Sequence, residues 1–186
     1  GLNTSMVERC KAAKFDAIAL TVDTIVSGNR ERCLRSGFTS PPRFTPESVL
    51  SYAIHPMWAL NYMFREKFSL PNLQTHVDAG TNVAVSVAEY FNTMLDTSMD
   101  WKMAEKVRSN WGGEFCLKGI MSVDDAKRAV DIGATAIMIS NHGGRQLDGS
   151  RSPFDQIAEI ADAVVGKIDI ICDGGVQRGS HVLKAL

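Results

Sequence analysis

The chain alternates short apolar runs with longer stretches of helix-like spacing. Four runs are nearly continuous in hydrophobicity, and each ends in a polar residue close to a glycine or turn: Ala17 to Asp23, Glu114 to Gly119, Ala136 to Gly144 and Ile168 to Gly175. Unbroken apolar character over about 4–8 residues marks a strand covered on both faces. Helix signals lie between the runs. Ser5 with Glu8 and Ser122 with Asp125 have capping-box spacing, Ser152-Pro153 puts proline at a first helical position, and Gly133 and Gly166 fall where helices stop. The pattern predicts repeated β-α units, hence an α/β fold with a parallel sheet under helical cover.

Spacing adds detail. Lys118 and His142 are 24 residues apart and His142 and Asp173 are 31 apart, each the length of one β-α unit. Asp23 and Lys118 are separated by 95 residues, so that unit carries an insertion of roughly 60–70 residues. We place it at 31–109, entered through Pro41-Pro42 and Thr45-Pro46. Asp23, Lys118, His142 and Asp173 all fall at C-terminal ends of strand candidates. In a parallel barrel those ends share one mouth; in an open doubly wound sheet they line a crevice.

Composition narrows the function. Twenty basic against twenty-one acidic side chains give a formal charge of −1, which removes the electrostatic case for a nucleic-acid binder. No apolar run reaches the roughly 18 residues of a membrane span. Four scattered cysteines form no CxxC pair, so neither a zinc knuckle nor a disulfide framework is expected, and no signal peptide is expected in the polar, helix-like stretch that follows Gly1. The expected compartment is the cytoplasm.

The sharpest segment runs from Ser140 to Asp148, SNHGGRQLD. A histidine at a strand end serves as general base near neutral pH. Arg145 offers a planar fork for a carboxylate. Asp23, after Thr21, suits orienting and charge-stabilising the histidine, with Arg30 as a second anion contact, while Lys118 suits holding a cation against developing negative charge. Each has an alternative as an ordinary strand-end ion pair. The segment from Asp173 to Gly179 opens a helix, and glycine-rich backbone there can cradle phosphate with help from Arg178. A plain β-α turn is the competing reading. Val49 to Lys67 is largely apolar and rich in aromatics, with Arg65 and Lys67 at its end. It suits a helix lying on a bilayer, and equally one packed on the barrel or on another subunit.

SNHGGRQLD, with LTVDT, the LKGI strand end and DGGVQRGSHVLKAL, resembles the FMN-dependent α-hydroxy-acid dehydrogenase and oxidase family across essentially the whole chain. GNRERCLRSGF, PPRFTPESVL, HPMWAL and SMDWKMAEKVRSNW resemble its branch of respiratory L-lactate and mandelate dehydrogenases. The resemblance implies part of a TIM (β/α)8 barrel, about strands 4 to 7 with their helices and a long insertion after strand 4. Such a chain is one FMN domain lacking strands 1–3 and 8, and on its own is expected to be inactive.

It further implies oxidation of an L-2-hydroxy acid, lactate in particular, to the 2-oxo acid. Electrons would pass to a quinone or similar acceptor, or to oxygen in an oxidase. By position, His142 matches the proton acceptor, Asp23 its stabilising carboxylate, and Arg145 and Arg30 the substrate-carboxylate arginines. Thr21 and Lys118 match FMN contacts, Lys118 beside the ring's N1/O2 edge. Asp173, Gly174, Gly175, Gln177 and Arg178 match the ribityl-phosphate segment, with Gln177 standing where the family usually has arginine and Cys33 replacing a commonly acidic residue. The implied setting is peripheral contact of segment 49–67 with the cytoplasmic face of a membrane, and a homo-tetramer at full length.

Overall fold

The computed structural model describes residues 2–26, 28–37, 44–65 and 97–186. The polypeptide forms two compact units, one of residues 1–29 with 96–186 and the other of residues 30–95.

The first unit is a four-stranded parallel sheet in the order β1-β2-β3-β4, formed by Ala17–Thr21, Glu114–Lys118, Ala136–Ile139 and Asp169–Cys172. All four predicted strands are present. Their side chains alternate with the pleat. Phe115, Leu117, Ile137 and Ile139 are fully buried, with Ile18, Leu20 and Ile170 packed against them. In the other phase the register aligns Thr21, Lys118, Met138 and Ile171 in one row across the sheet. Ile171 is exposed, so the two faces are unequally covered, whereas continuous hydrophobicity predicts cover on both. In a closed barrel this second set of side chains fills the interior.

The helices of this unit are α1 (Leu2–Ala12), α5 (Trp101–Trp111), α6 (Val123–Asp131), α7 (Pro153–Val164) and α8 (Gly179–Ala185). Helix α6 starts where Ser122 accepts a hydrogen bond from Asp125 N–H, and buries Ala126 and Ala129 completely. It ends at Gly133, whose left-handed backbone (φ 77°) closes the turn and whose carbonyl accepts from Arg108 Nε at 3.1 Å. Helix α7 is capped by Ser152 with Pro153 at its first position, and buries Gln156, Ile160 and Val164 at four-residue intervals. Burying each of Ile160 and Val164 contributes about 1.5–3 kcal/mol. The start predicted at Ser5 is wrong: α1 is already helical at Leu2. Three-residue Ser–Glu spacing also occurs inside a helix, and Glu8 here pairs with Lys11 at 3.3 Å rather than reaching back to a cap.

The second unit contains α2 (Glu31–Arg35), α3 (Pro46–Ile54) and α4 (Pro56–Phe64). Thr45 and Ser48 cap α3 reciprocally. Backbone N–H and Thr45 hydrogen bonds at that helix start hold the Glu47 carboxyl below its usual range. Pro56 divides α3 from α4, and His55 Nδ1 lies 2.8 Å from Ser51 O. None of the residues in α3 or α4 is buried. Tyr52, Trp58 and Tyr62 stack at centroid distances of 5.2 and 5.3 Å, with Phe44 edge-on to Tyr52. Leu50, Met57, Met63 and Phe64 are exposed. Glu66, Lys67 and His76, and with them the end of the 49–67 segment, lie outside the described residues.

Candidate active site

Four successive strand ends deliver polar side chains to one rim of the sheet. Thr21 ends β1 opposite Lys118, and the ladder continues one residue further through Val22 N–H to Lys118 O at 2.9 Å. That leaves Asp23 as the first side chain of the turn. Gly119 (φ 105°) follows Lys118, and a Cβ there would sit 2.8 Å from Asp23 Cβ and Cγ. The glycine is therefore what lets the carboxylate approach the end of β2.

After β3 the chain passes through Ser140 into a short 3-10 turn, His142–Gly144. Asn141 steadies it, accepting from Gly144 N–H at 3.3 Å and donating to Arg151 O at 3.2 Å. His142 itself adopts a left-handed backbone (φ 59°), uncommon for a residue with a side chain. Its Nδ1 lies 3.1 and 3.2 Å from the two Asp23 carboxylate oxygens. An ionised carboxylate only accepts, so Nδ1 carries the proton and Nε2 the lone pair in the neutral ring. Among the described residues Nε2 has no hydrogen-bond partner.

Beside this pair lies a second cluster. Lys118 Nζ donates to Asp173 Oδ2, to Ser140 Oγ at 3.2 Å and to Met138 Sδ at 3.3 Å. Ser140 is 1% exposed. Its hydroxyl donates to Asp173 Oδ2 at 2.8 Å and accepts from both Lys118 and the His142 backbone N–H (3.2 Å), so its hydrogen-bonding capacity is filled. The hydrogen bond from Lys118, then that from Ser140, holds the Asp173 carboxyl below its ordinary value. Lys118 is thus a fixed positive charge with one weak partner, the thioether.

The other expected residues stand as follows. Arg145 is exposed, and among the described residues its guanidinium has no partner; its backbone N–H donates to His142 O at 3.3 Å. Gly174 and Gly175 both have positive φ (114° and 72°), and Gln177 and Arg178 are exposed at the start of α8. Gly174 and Gly175 border a cavity of about 450 Å³ also lined by Phe154, Cys172 and Val176. Arg30 is exposed and belongs to the second unit. Among the described residues no group of three or more His, Cys, Asp or Glu could hold a metal ion.

Sequence reasoning overlooked several participants. Ser140, Asn141 and Gln146 stand inside the motif, yet a hydroxyl or amide announces no partner. His181 Nδ1 accepts from Gln177 N–H at 3.3 Å.

A parallel sheet whose strand ends present a carboxylate-bound imidazole beside a hydrogen-bonded ammonium gathers its polar side chains at the edge where parallel α/β folds carry their sites. The chain belongs to the FMN-dependent dehydrogenase family, whose model matches residues 1–186. It is 36% identical over 187 residues to an L-lactate dehydrogenase of Pseudomonas paraeruginosa, covering 100% of this chain and 49% of that protein. It is 39% identical over 191 residues to an L-lactate oxidase of a Nostoc species, with 100% and 45% covered. Among solved structures, the monotopic membrane protein (S)-mandelate dehydrogenase superposes with a TM-score of 0.88 at 32% identity, covering 98% of this chain and 48% of that one. The chain therefore spans about half the length of the relatives it matches. With these neighbours, the four-stranded sheet is part of a TIM barrel.

Proposed function

We propose that the protein oxidises an L-2-hydroxy acid, lactate in particular, to the 2-oxo acid with FMN, and returns the electrons to a quinone-type acceptor. The observation that carries this reading is Asp23 at 3.1 Å from His142 Nδ1, with Nε2 unpartnered among the described residues. Oxidation removes two electrons and two protons from the substrate. His142 Nε2 takes up one of these protons, and Asp23 stabilises the resulting imidazolium through Nδ1–H. Arg145, with no competing partner among the described residues, grips the substrate carboxylate, and Arg30 is its expected second.

The residues present fit FMN. Lys118 offers a fixed ammonium whose weakest contact, the Met138 thioether, a better acceptor can replace. The turn at Gly175 is open: a Cβ there would meet nothing within 4 Å. Lys118 and Thr21 would hold the ring end, and Asp173, Gly174, Gly175, Gln177 and Arg178 the ribityl-phosphate end. Bound FMN would supply the acceptor for the electron pair and for the second proton.

The test is anaerobic mixing of the flavin-loaded protein at its natural full length with L-lactate and with (S)-mandelate, followed by reoxidation. L-Lactate is expected to bleach the flavin, and turnover on a soluble quinone should far exceed peroxide release in air. Absence of bleaching by either acid would overturn the oxidation. Peroxide in step with turnover would favour the alternative supported by the Nostoc relative, an oxidase.

The exposed aromatic and apolar side chains of α3 and α4 support a peripheral membrane contact, in keeping with the monotopic relative. Within the described residues no helix is long and apolar enough to cross a membrane. The protein is expected to float with phosphatidylethanolamine–phosphatidylglycerol vesicles. Replacing Met57, Trp58 and Phe64 together with serine should abolish flotation without loss of flavin; unchanged flotation would remove the segment from membrane binding.

A further inference from the structure

The turn that carries Asp23 has little of its own to hold it. Beyond Val22, residues 23–29 make no backbone-to-backbone hydrogen bond among the described residues. Two of its carbonyls turn instead to one side chain. Gln146 Nε2 donates to Asp23 O at 3.3 Å and to Val26 O at 3.2 Å. Both partners are carbonyl oxygens, so chemistry alone requires the NH2 end of the amide to face them, and its two hydrogens match two acceptors. Gly28 brings the same turn against the same segment. A Cβ there would lie 2.0 Å from Arg145 O and 2.7 Å from Gln146 Oε1.

The turn and the His142 segment therefore meet at two places four residues apart. At one, the Asp23 carboxylate meets His142 Nδ1; at the other, the Gln146 amide holds the backbone of Asp23 and Val26. A single contact would leave the turn free to pivot about the carboxylate. A second fixes its direction.

We infer that Gln146 is a positioning residue. By clasping the Asp23 turn it keeps the carboxylate on His142 Nδ1, and so keeps the Nε2 lone pair available. The inference rests on His142 being the base, as proposed above. Gln146 acts through Asp23 and touches no reacting atom. Glutamate at this position would keep the shape and set an oxygen against two carbonyl oxygens. Methionine would keep the length and offer no donor.

The experiment uses the flavin-loaded protein at its natural full length, with Gln146→Glu, Gln146→Met and Asp23→Asn prepared in parallel. Turnover, KM, flavin content and the ¹⁵N-histidine NMR signal of His142 Nδ1–H are measured on each. Both Gln146 variants are expected to keep flavin, to lose about 10–100-fold in kcat, in line with the cost of small misplacements, and to change KM little. Their Nδ1–H signal should weaken as the Nε2–H tautomer appears. An unchanged kcat, or a lowered kcat with an undisturbed Nδ1–H signal, would overturn the clasp. If one variant fails to fold, the other decides; if neither holds flavin, Gln146 is a folding residue and the inference fails. Asp23→Asn separates the two claims. Collapse of turnover there, with both Gln146 variants unaffected, removes only the clasp, whereas unaffected turnover in Asp23→Asn removes the base reading and the clasp with it.

Discussion

Replacing His142 with glutamine in the full-length protein is expected to lower turnover by roughly 10³–10⁴-fold while flavin stays bound. Glutamine retains an N–H to offer Asp23 and a comparable volume, but no group able to accept a proton near neutral pH. General-base catalysis contributes about 10²–10⁴-fold, and the upper part of that range applies because among the described residues no second imidazole or carboxylate is poised to take over. Asp23 is engaged on Nδ1, and Asp173 is engaged by Lys118 and Ser140. The left-handed backbone at His142 is a separate difficulty for glutamine. Asparagine tolerates that conformation better, so His142→Asn guards against a merely misfolded loop. Steady-state rates with flavin absorbance settle the matter, and turnover near the wild-type value in either variant would take His142 out of the mechanism.

The second large effect falls on stability. Gly119→Ala is expected to cost about 2–4 kcal/mol, combining a backbone region closed to L-residues with overpacking against Asp23, each worth about 1–3 kcal/mol. The backbone has no easy way to relax, because Gly119 N–H and Ile120 N–H both donate to Met138 O, at 3.1 and 3.3 Å. The Cβ would press on Asp23 Cβ and Cγ, the stem of the carboxylate and not a flexible tip. Urea denaturation of the variant should show a clearly lower midpoint. Gly149→Ala is the internal control: its φ is also positive (81°) but a Cβ there would meet nothing within 4 Å, so it isolates the conformational cost. Equal midpoints for the two variants would show that the contact with Asp23 carries no weight.

The strands were the most legible part of the fold. Runs such as Ala136 to Ile139 are apolar at every position, since one phase of the pleat meets helices and the other belongs to a barrel interior. Helix boundaries were legible where a cap has chemical character, as at Ser122, Ser152, Gly133 and Gly166. Ser5 failed because the same spacing serves inside a helix. At the site, the four strand-end residues could be listed from sequence and Asp23 assigned to the histidine, but the pairing of Lys118 with Asp173 could not. Both pairs reach across an intervening strand, β1 to β3 and β2 to β4, and spacing along the chain does not encode which ends lean together. Gln146 was invisible in a different way: its partners are main-chain carbonyls 120 and 123 residues distant, and a carbonyl leaves no mark on a sequence. Likewise only the close approach of Arg145 O to Gly28 and of Asp23 to Gly119 explains why nothing larger stands at either position.

The left-handed backbone at His142 has a consequence of its own. The next two residues, Gly143 and Gly144, share that conformation at little cost, with φ of 64° and 70°, whereas an imidazole-bearing residue sits there against its intrinsic preference, by about 1–2 kcal/mol. A drift towards greater ruggedness would favour a third glycine. Retaining the ring is then a compromise between durability and reactivity, struck at a single peptide unit.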